Sequence, residues 1–291
     1  MCHPPLAAVD GISPRRVVLT GAVPDDGIRY VAGRAGDSPY APGTVLAPNT
    51  PLQRPQPAWF QPVCPPEREI PFTHTIVAET DELLIADKPP FLPTTPNGRL
   101  IRNTLLTRLR IETGNPHLVC CHRLDRLTSG LVVCAKNPDN RSMWQNLFRD
   151  RRVEKTYTAI TSADLPGAIG TSWQTITLPL RKIRGARAVT VEPTGTPTIT
   201  AVRRTGDHTV ELRPRTGFTH QLRVVMNHLG MPVTGDDTYP RDKGLDLYDF
   251  RTPLALVAQT LSMPDPIGGT TLSFTSRRDP ANPLVCPPNV R

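Results

Sequence analysis

Paired cysteine chemistry is missing from this chain. The six cysteines, Cys2, Cys64, Cys120, Cys121, Cys134 and Cys286, include no CxxC pair, which argues against a zinc clamp or a dithiol redox motif. Cys120 and Cys121 are neighbours in an apolar run, where strand geometry sends them to opposite faces. They are expected to be buried reduced thiols of a cytosolic protein. No apolar run approaches the roughly 18 residues that a membrane span needs. The opening stretch "MCHPPLAAVDGISPRR" lacks the basic start and apolar core of a secretory signal. No internal repeat is present either. These absences predict a soluble, cytoplasmic protein with no membrane partner.

Positive charge and proline are what the chain does have. The 291 residues carry a formal charge of +8, a balance that suits a polyanion such as nucleic acid and equally serves solubility. Of 34 prolines, 18 fall in the first 96 residues. The stretch 48–71, "PNTPLQRPQPAWFQPVCPPEREIP", reads as an extended linker or wrapping segment, because proline fixes its own dihedral and disfavours helix before it. The expected organisation is a proline-rich segment over 1–70 with a few short strands at most, a catalytic domain over 71–285 and a tail over 286–291.

Beyond residue 70 the patterning changes. "TIVAE" and "ELLIAD" predict two strands joined by a tight turn at Thr80 and Asp81. "RNTLLTRLRIETG" predicts a helix stopped by Gly114. "HLVCCH" and "GLVVCAK" predict strands flanking a polar loop. "NPDNRSMWQNLFRD" predicts a helix capped by Asn137, with Met143, Trp144, Leu147 and Phe148 on its apolar face. "RRVEKTYTAITS", "ARAVTVEP", "TPTITAVRRT" and "HTVELRP" alternate as strands do, and "THQLRVVMNHLG" predicts a helix closed by Gly230. Many strands with few helices indicate an α+β fold around a mixed or antiparallel sheet.

The polar loop "HRLDRLTSG" holds one carboxylate, Asp125, between Arg123 and Arg126, with His122 just before. Alone it reads as a surface charge cluster or as an acid kept ionised for chemistry. A second basic segment, 213–240, enters a helix near Thr219 whose core stripe is Leu222, Val225, Met226 and Leu229. On that helix His220, Arg223 and Asn227 share another face. Its N-terminus, preceded by Arg213 and Arg215, suits a phosphate. Together these features predict a polar cleft facing a polyanion.

Four motifs in order carry a resemblance. "HRLDRLTSGLVVCAK" resembles the signature of the RluA family of RNA pseudouridine synthases, and "ELLIADKPPFLPTTP", "VEKTYTAI" and "TGFTHQLRVVMNHLGMPVTGDDTYP" resemble its other motifs. The resemblance implies a pseudouridine synthase-like catalytic domain. It also implies a reaction in which uridine in ribosomal or transfer RNA is detached at N1, turned and rejoined through carbon five, with no cofactor and no metal. By position, Asp125 would be the nucleophile, Arg223 its guanidinium partner, and Tyr157 the ring packed on the uracil, where stacking contributes roughly 1–3 kcal/mol. A carboxylate in a partly dry pocket needs such a cation to stay charged. Arg123 would fill the space left by the flipped base. His122, Lys88, His220, Gln221 and Arg215 complete the expected RNA contacts. The runs "FRDRRVEK" and "LRKIRGAR" add seven further Lys or Arg besides Lys155, as phosphate tracks. No obligatory protein partner is implied, and a monomer is the default.

Three departures from the family pattern stand out: Phe218 where arginine is frequent, Val225 where histidine is frequent, and no recognisable alpha-L RNA-binding domain before residue 70. Rival readings are a catalytically silent RNA-binding protein on the same scaffold and a hydrolase using His122, Asp125 and Ser129, although "LTSGL" is no GxSxG elbow. A metal enzyme on His220, His228 and Asp236 or Asp237 is weaker, since the histidines lie roughly 12 Å apart along a helix.

Overall fold

The computed structural model describes residues 5–34, 38–164 and 169–286. The chain folds as two compact units, one running to Arg68 and including Thr95–Leu118, the other Glu69–Thr94 with everything from Val119 on.

The first unit is a four-stranded antiparallel sheet in the order β1-β4-β2-β3, with β1 at Arg15–Ala22, β2 at Tyr30–Ala32, β3 at Val45–Leu46 and β4 at Pro51–Phe60. β4 lies within the stretch expected to be a linker. Pro55 and Pro57 occupy alternate positions, so their missing N–H groups fall on one edge. The carbonyl of Pro57 accepts from Gly33 N at 2.7 Å, which identifies that edge as the one facing β2. The other edge is left to pair with β1, from Arg15↔Phe60 to Leu19↔Gln56. Helix α1 (Leu105–Thr113) is capped by the Thr104 hydroxyl and stopped by Gly114 in the left-handed region, at φ 63. Just before α1, Glu67 accepts from the backbone N–H groups of Ile101, Arg102 and Asn103. Burial alone would raise its carboxyl, but these donors hold it below the ordinary value.

The second unit is an eleven-stranded mixed sheet flanked by two helices. Its strands are β5 (Thr75–Glu79), β6 (Leu83–Lys88), β7 (Val119–Cys120), β8 (Ser129–Ala135), β9 (Glu154–Ile160), β10 (Gln174–Lys182), β11 (Val189–Val191), β12 (Thr196–Arg204), β13 (Thr209–Pro214), β14 (Leu256–Pro264) and β15 (Thr271–Thr275). The main path runs β11-β10-β12-β13-β9-β14-β8-β6-β5, with β15 on β14 and β7 on β8. Among the described residues only the β14–β8 pairing is parallel. The α+β expectation is met.

Helix α2 (Arg141–Arg149) begins three residues later than expected, with Asn140 in place of Asn137 before its first turn. Asn137 spends its side chain on the N–H of Asp139 in a local turn, so it cannot cap the helix. Trp144 and Leu147 bury as expected, beside Leu131, Val133 and Met263, whereas Met143 is exposed. Helix α3 (Gln221–His228) packs Val224 and Val225 against Leu178, Leu180 and Val189. The buried Asp87–Arg278 pair, at 3.1 Å, closes the far end of β6 against the residues after β15.

Candidate active site

The loop between β7 and β8 is pinned on both sides of Asp125. The Leu124 carbonyl accepts from the Thr94 hydroxyl at 2.9 Å, and Leu124 N donates back to the same oxygen at 3.0 Å. On the other side, the carbonyl of Arg126 accepts from Lys88 Nζ at 3.3 Å. Further back, Cys121 N donates to Val133 O at 2.8 Å and Val133 N donates to His122 Nε2 at 3.1 Å. Side chains at Leu124 and Leu127 go into the core, so the carboxylate between them turns outward, 30% exposed.

That carboxylate opens into a cavity of about 370 Å³ that Lys155, Tyr157 and Arg223 also line. Tyr157 enters from the middle of β9, on the sheet face that also carries Leu212 of β13. Burial, and then the charge of Asp125, raise its phenol above the ordinary value. Burial keeps a phenol neutral, which suits a ring that packs on a base.

Arg223 reaches the cavity from α3, but its hydrogen bonds go elsewhere. Nε and Nη2 donate to Asp236 at 2.7 and 2.5 Å, and Nη2 also donates to Asp237 at 2.9 Å. Burial would lower its pKa, yet the Asp236 bonds and charge, with Asp125 and Asp237 contributing, raise it overall. Asp125 therefore feels Arg223 through space, and the direct pairing expected from the sequence is replaced by a relay of fixed charge. Asp237 is shared with Arg187 at 2.7 Å and Arg126 at 3.8 Å. Burial would raise its carboxyl, but the Thr238 hydroxyl and the charges of Arg223 and Arg187 hold it below the usual range.

The expected face of His220, Arg223 and Asn227 does not form. His220 precedes the helix in the left-handed region, at φ 57. There its ring meets the Tyr239 hydroxyl at 3.2 Å through Nδ1, while Nε2 stands 4.0 Å from Asp125. Burial lowers its pKa and Asp125 opposes that shift.

Other expected contacts divide by exposure. Arg123 is exposed and lines the cavity. Arg215 is exposed but lies outside the cavity lining. His122 lines the cavity with its ring stacked on Phe148, centroids 4.4 Å apart. Burial, and then the charge of Lys155, push its pKa down to about 3. His122 is thus a neutral ring used structurally. Lys88 is a correction: it is fully buried and donates to the carbonyls of Pro89, Leu92 and Arg126. It has no surface left for RNA and anchors the Asp125 loop instead. Gln221 is also buried, its amide taken up by Thr216, Phe218 N, Ile199 O and Thr200. It shapes the cavity wall rather than presenting a free group.

Sequence reasoning passed over Thr94 and Lys155 as site residues, and weighed Asp236 and Asp237 only as metal ligands. Lys155 had a readable signal, since it stands two residues before Tyr157 and strand geometry places both on one face. The two aspartates had none as partners of Arg223, because their pairing spans a turn that only the fold brings back.

The hydrolase reading loses its nucleophile in this arrangement. Ser129 is fully buried and its hydroxyl donates to Leu256 O at 3.3 Å. Asp236 and Asp237, offered for a metal, are taken by Arg223. What the cavity holds is one accessible carboxylate, a buried tyrosine, a fixed guanidinium and a surface-facing arginine.

Known proteins are similar to this chain over most of the residues that line the cavity. Residues 82–228 match the family described as RNA pseudouridylate synthase. Pseudouridylate synthase RPUSD2 of Homo sapiens is 34% identical over 168 residues, covering 56% of this chain and 30% of that protein. Ribosomal large subunit pseudouridine synthase D of Haemophilus influenzae is 31% identical over 218 residues, covering 68% of this chain and 65% of that one. Among solved structures, human RNA Pseudouridylate Synthase Domain Containing 1 superposes with a TM-score of 0.57 at 27% identity, covering 72% of this chain and 85% of that one. The match thus spans under a third of the length of the human curated relative. With a family match over half its residues, the chain belongs to the RNA pseudouridylate synthases, of the RluA type.

Proposed function

We propose that this protein is an RNA pseudouridine synthase that isomerises particular uridines in structured RNA, ribosomal or transfer, with Asp125 as its nucleophile. The observation that carries the reading is the seating of Asp125. Its two neighbours are locked by Thr94 and Lys88, and its carboxylate faces the cavity that Tyr157 and Arg223 share. A held carboxylate acting on a held ring gains from orientation already established before the substrate arrives.

The residues divide the work. Asp125 attacks or assists at the sugar–base junction. Tyr157 supports the flipped uracil, and its hydroxyl makes no hydrogen bond among the described residues, so it is free for a polar edge of the base. Arg223, clamped by Asp236, supplies fixed positive charge at the cavity wall. Arg123, exposed at the same cavity, occupies the gap in the RNA stack. Exposed Arg151 and Arg152, just before β9, offer phosphate contacts.

The test maps pseudouridine across all cellular RNA in cells carrying the wild-type protein, Asp125→Asn, or no protein. Asparagine preserves shape and removes the charge. Loss of the same discrete sites in both altered strains is the expected result, and it names the substrate too. No change in either strain, with RNA binding by the purified protein retained, would make it a silent binder.

A further inference from the structure

Besides the exposed Arg123, the cavity contains a half-buried cation that the described residues leave unmatched. Arg223 is held by Asp236 and Asp237, Arg126 and Arg187 by Asp237, and Lys88 by three carbonyls. Lys155 lines the same cavity, half-buried, and among the described residues no carboxylate pairs with it. Its neighbour His122 is a neutral ring whose Nε2 is already occupied by Val133 N. Burial lowers the pKa of Lys155, as expected for an ammonium drawn partly from water without compensation. A partly dehydrated cation that lacks a protein anion marks the place of a ligand's negative charge.

Its position says which part of the ligand. Lys155 and Tyr157 are alternate residues of β9 and project from one face, their Cα atoms about 7 Å apart at the usual rise. Strand register sets their order: Tyr157 lies opposite Ala258, which pairs with Gly130 at the start of β8 just after the Asp125 loop, whereas Lys155 lies opposite Leu261, farther along β14. Across the cavity the order is therefore Asp125, Tyr157, Lys155. A uridine with its sugar carbon at Asp125 and its base on Tyr157 directs the outer edge of the base to Lys155. Phosphates remain with the exposed arginines at the surface.

We propose that Lys155 is a catalytic residue that holds the detached uracil, donating to a ring carbonyl and offsetting the charge the base carries after it leaves; this rests on the synthase reading of the site. When the N1–C1′ bond breaks, its electron pair departs with the base, leaving negative charge spread over N1 and the two carbonyl oxygens. Carbon five later supplies the pair for the new bond to C1′, loses its proton, and N1 takes one up. Between those events the base is held by no bond to the RNA. A fixed ammonium at its edge lowers the energy of that state and keeps the base in the cavity while it turns.

The test uses the full chain in excess over total RNA from cells lacking the protein, labelled with uridine tritiated at carbon five. Tritium release reports conversion in a single turnover. Lys155→Met keeps the stem and removes the charge, and Lys155→Arg restores a charge. The expected result is a saturated rate about a hundredfold lower for Lys155→Met. RNA affinity should change less than about twofold, the melting temperature should be unchanged, and Lys155→Arg should recover part of the rate. An unchanged saturated rate with weaker, less salt-dependent binding would assign Lys155 to a phosphate and overturn the proposal. A rate loss that follows a lowered melting temperature would overturn it in favour of a packing role. No tritium release from the wild-type protein would sink the synthase reading and this inference together.

Discussion

Arg223 and Asp236 form a two-pronged pair buried beneath the cavity, the guanidinium side chain 3% and the carboxylate 1% exposed. Asp236 also accepts from the backbone N–H groups of Thr238 and Tyr239, at 2.8 and 2.9 Å. The pair therefore ties helix α3 to the turn after it and aims a fixed positive charge towards Asp125. Removing Asp236 leaves the buried Arg223 with Asp237 alone, and removing Arg223 leaves Asp236 a buried carboxylate without its cation.

Asp236→Asn should accordingly lower stability by about 3 kcal/mol. It should also slow pseudouridine formation by more than the unfolded fraction explains. Arg223→Lys should retain charge but lose the fork, and so lose rate with a smaller loss of stability. Urea titrations paired with single-turnover rates separate the two effects. Equal stability and rate in Asp236→Asn would show that the pair does not position Arg223.

His122 should make the fold acid-sensitive. Its pKa is about 3 in the folded protein against an ordinary value of 6.5, because burial and Lys155 disfavour the charged ring. Between those values the unfolded chain takes up a proton that the native chain refuses. Stability is thus present above pH 6.5 and is lost as pH falls towards 3, by up to about 1.4 kcal/mol per pH unit. His122→Gln retains an acceptor for Val133 N and does not titrate, so its melting temperature should fall less over the same window. Parallel slopes for the two proteins would contradict this assignment.

Gly130 is required where β8 meets β14. It sits at φ +106, and a Cβ there would lie 2.4 Å from Ala258 O and 2.6 Å from Ala258 N. These are backbone atoms in the parallel pairing of the two strands, so neither can move aside cheaply. Gly130→Ala should cost at least about 3 kcal/mol through clash and strained backbone together. The urea midpoint measures it, and a change under about 1 kcal/mol would mean that β14 gives way.

Much of the site is local in sequence, and that part was legible. Asp125 and Arg123 lie in one loop and Tyr157 in one strand, so each could be read from its neighbours along the chain. Helix α1 announced its own stop at Gly114, because a left-handed residue ends a helix whatever surrounds it. Where two local readings competed, composition misled. Prolines suggested a linker over residues 48–71, yet at 51–60 their spacing leaves one edge able to pair, and β1 supplies the partner. Asn137 looked like a cap, but its side chain bonds its own turn.

The amino-acid sequence by itself determined the order of motifs and the α+β class, and it singled out the carboxylate that lines the cavity, since each rests on neighbours along the chain. Only the tertiary structure decided what each charged group is doing. Lys88 and Gln221 became internal fasteners, Arg223 turned to Asp236, and His122 lost its charge. The reason is that burial and pairing set the state of an ionisable group. Both depend on residues far away in sequence, such as Thr94 against Leu124 or Arg187 against Asp237, that meet only when the sheet is assembled.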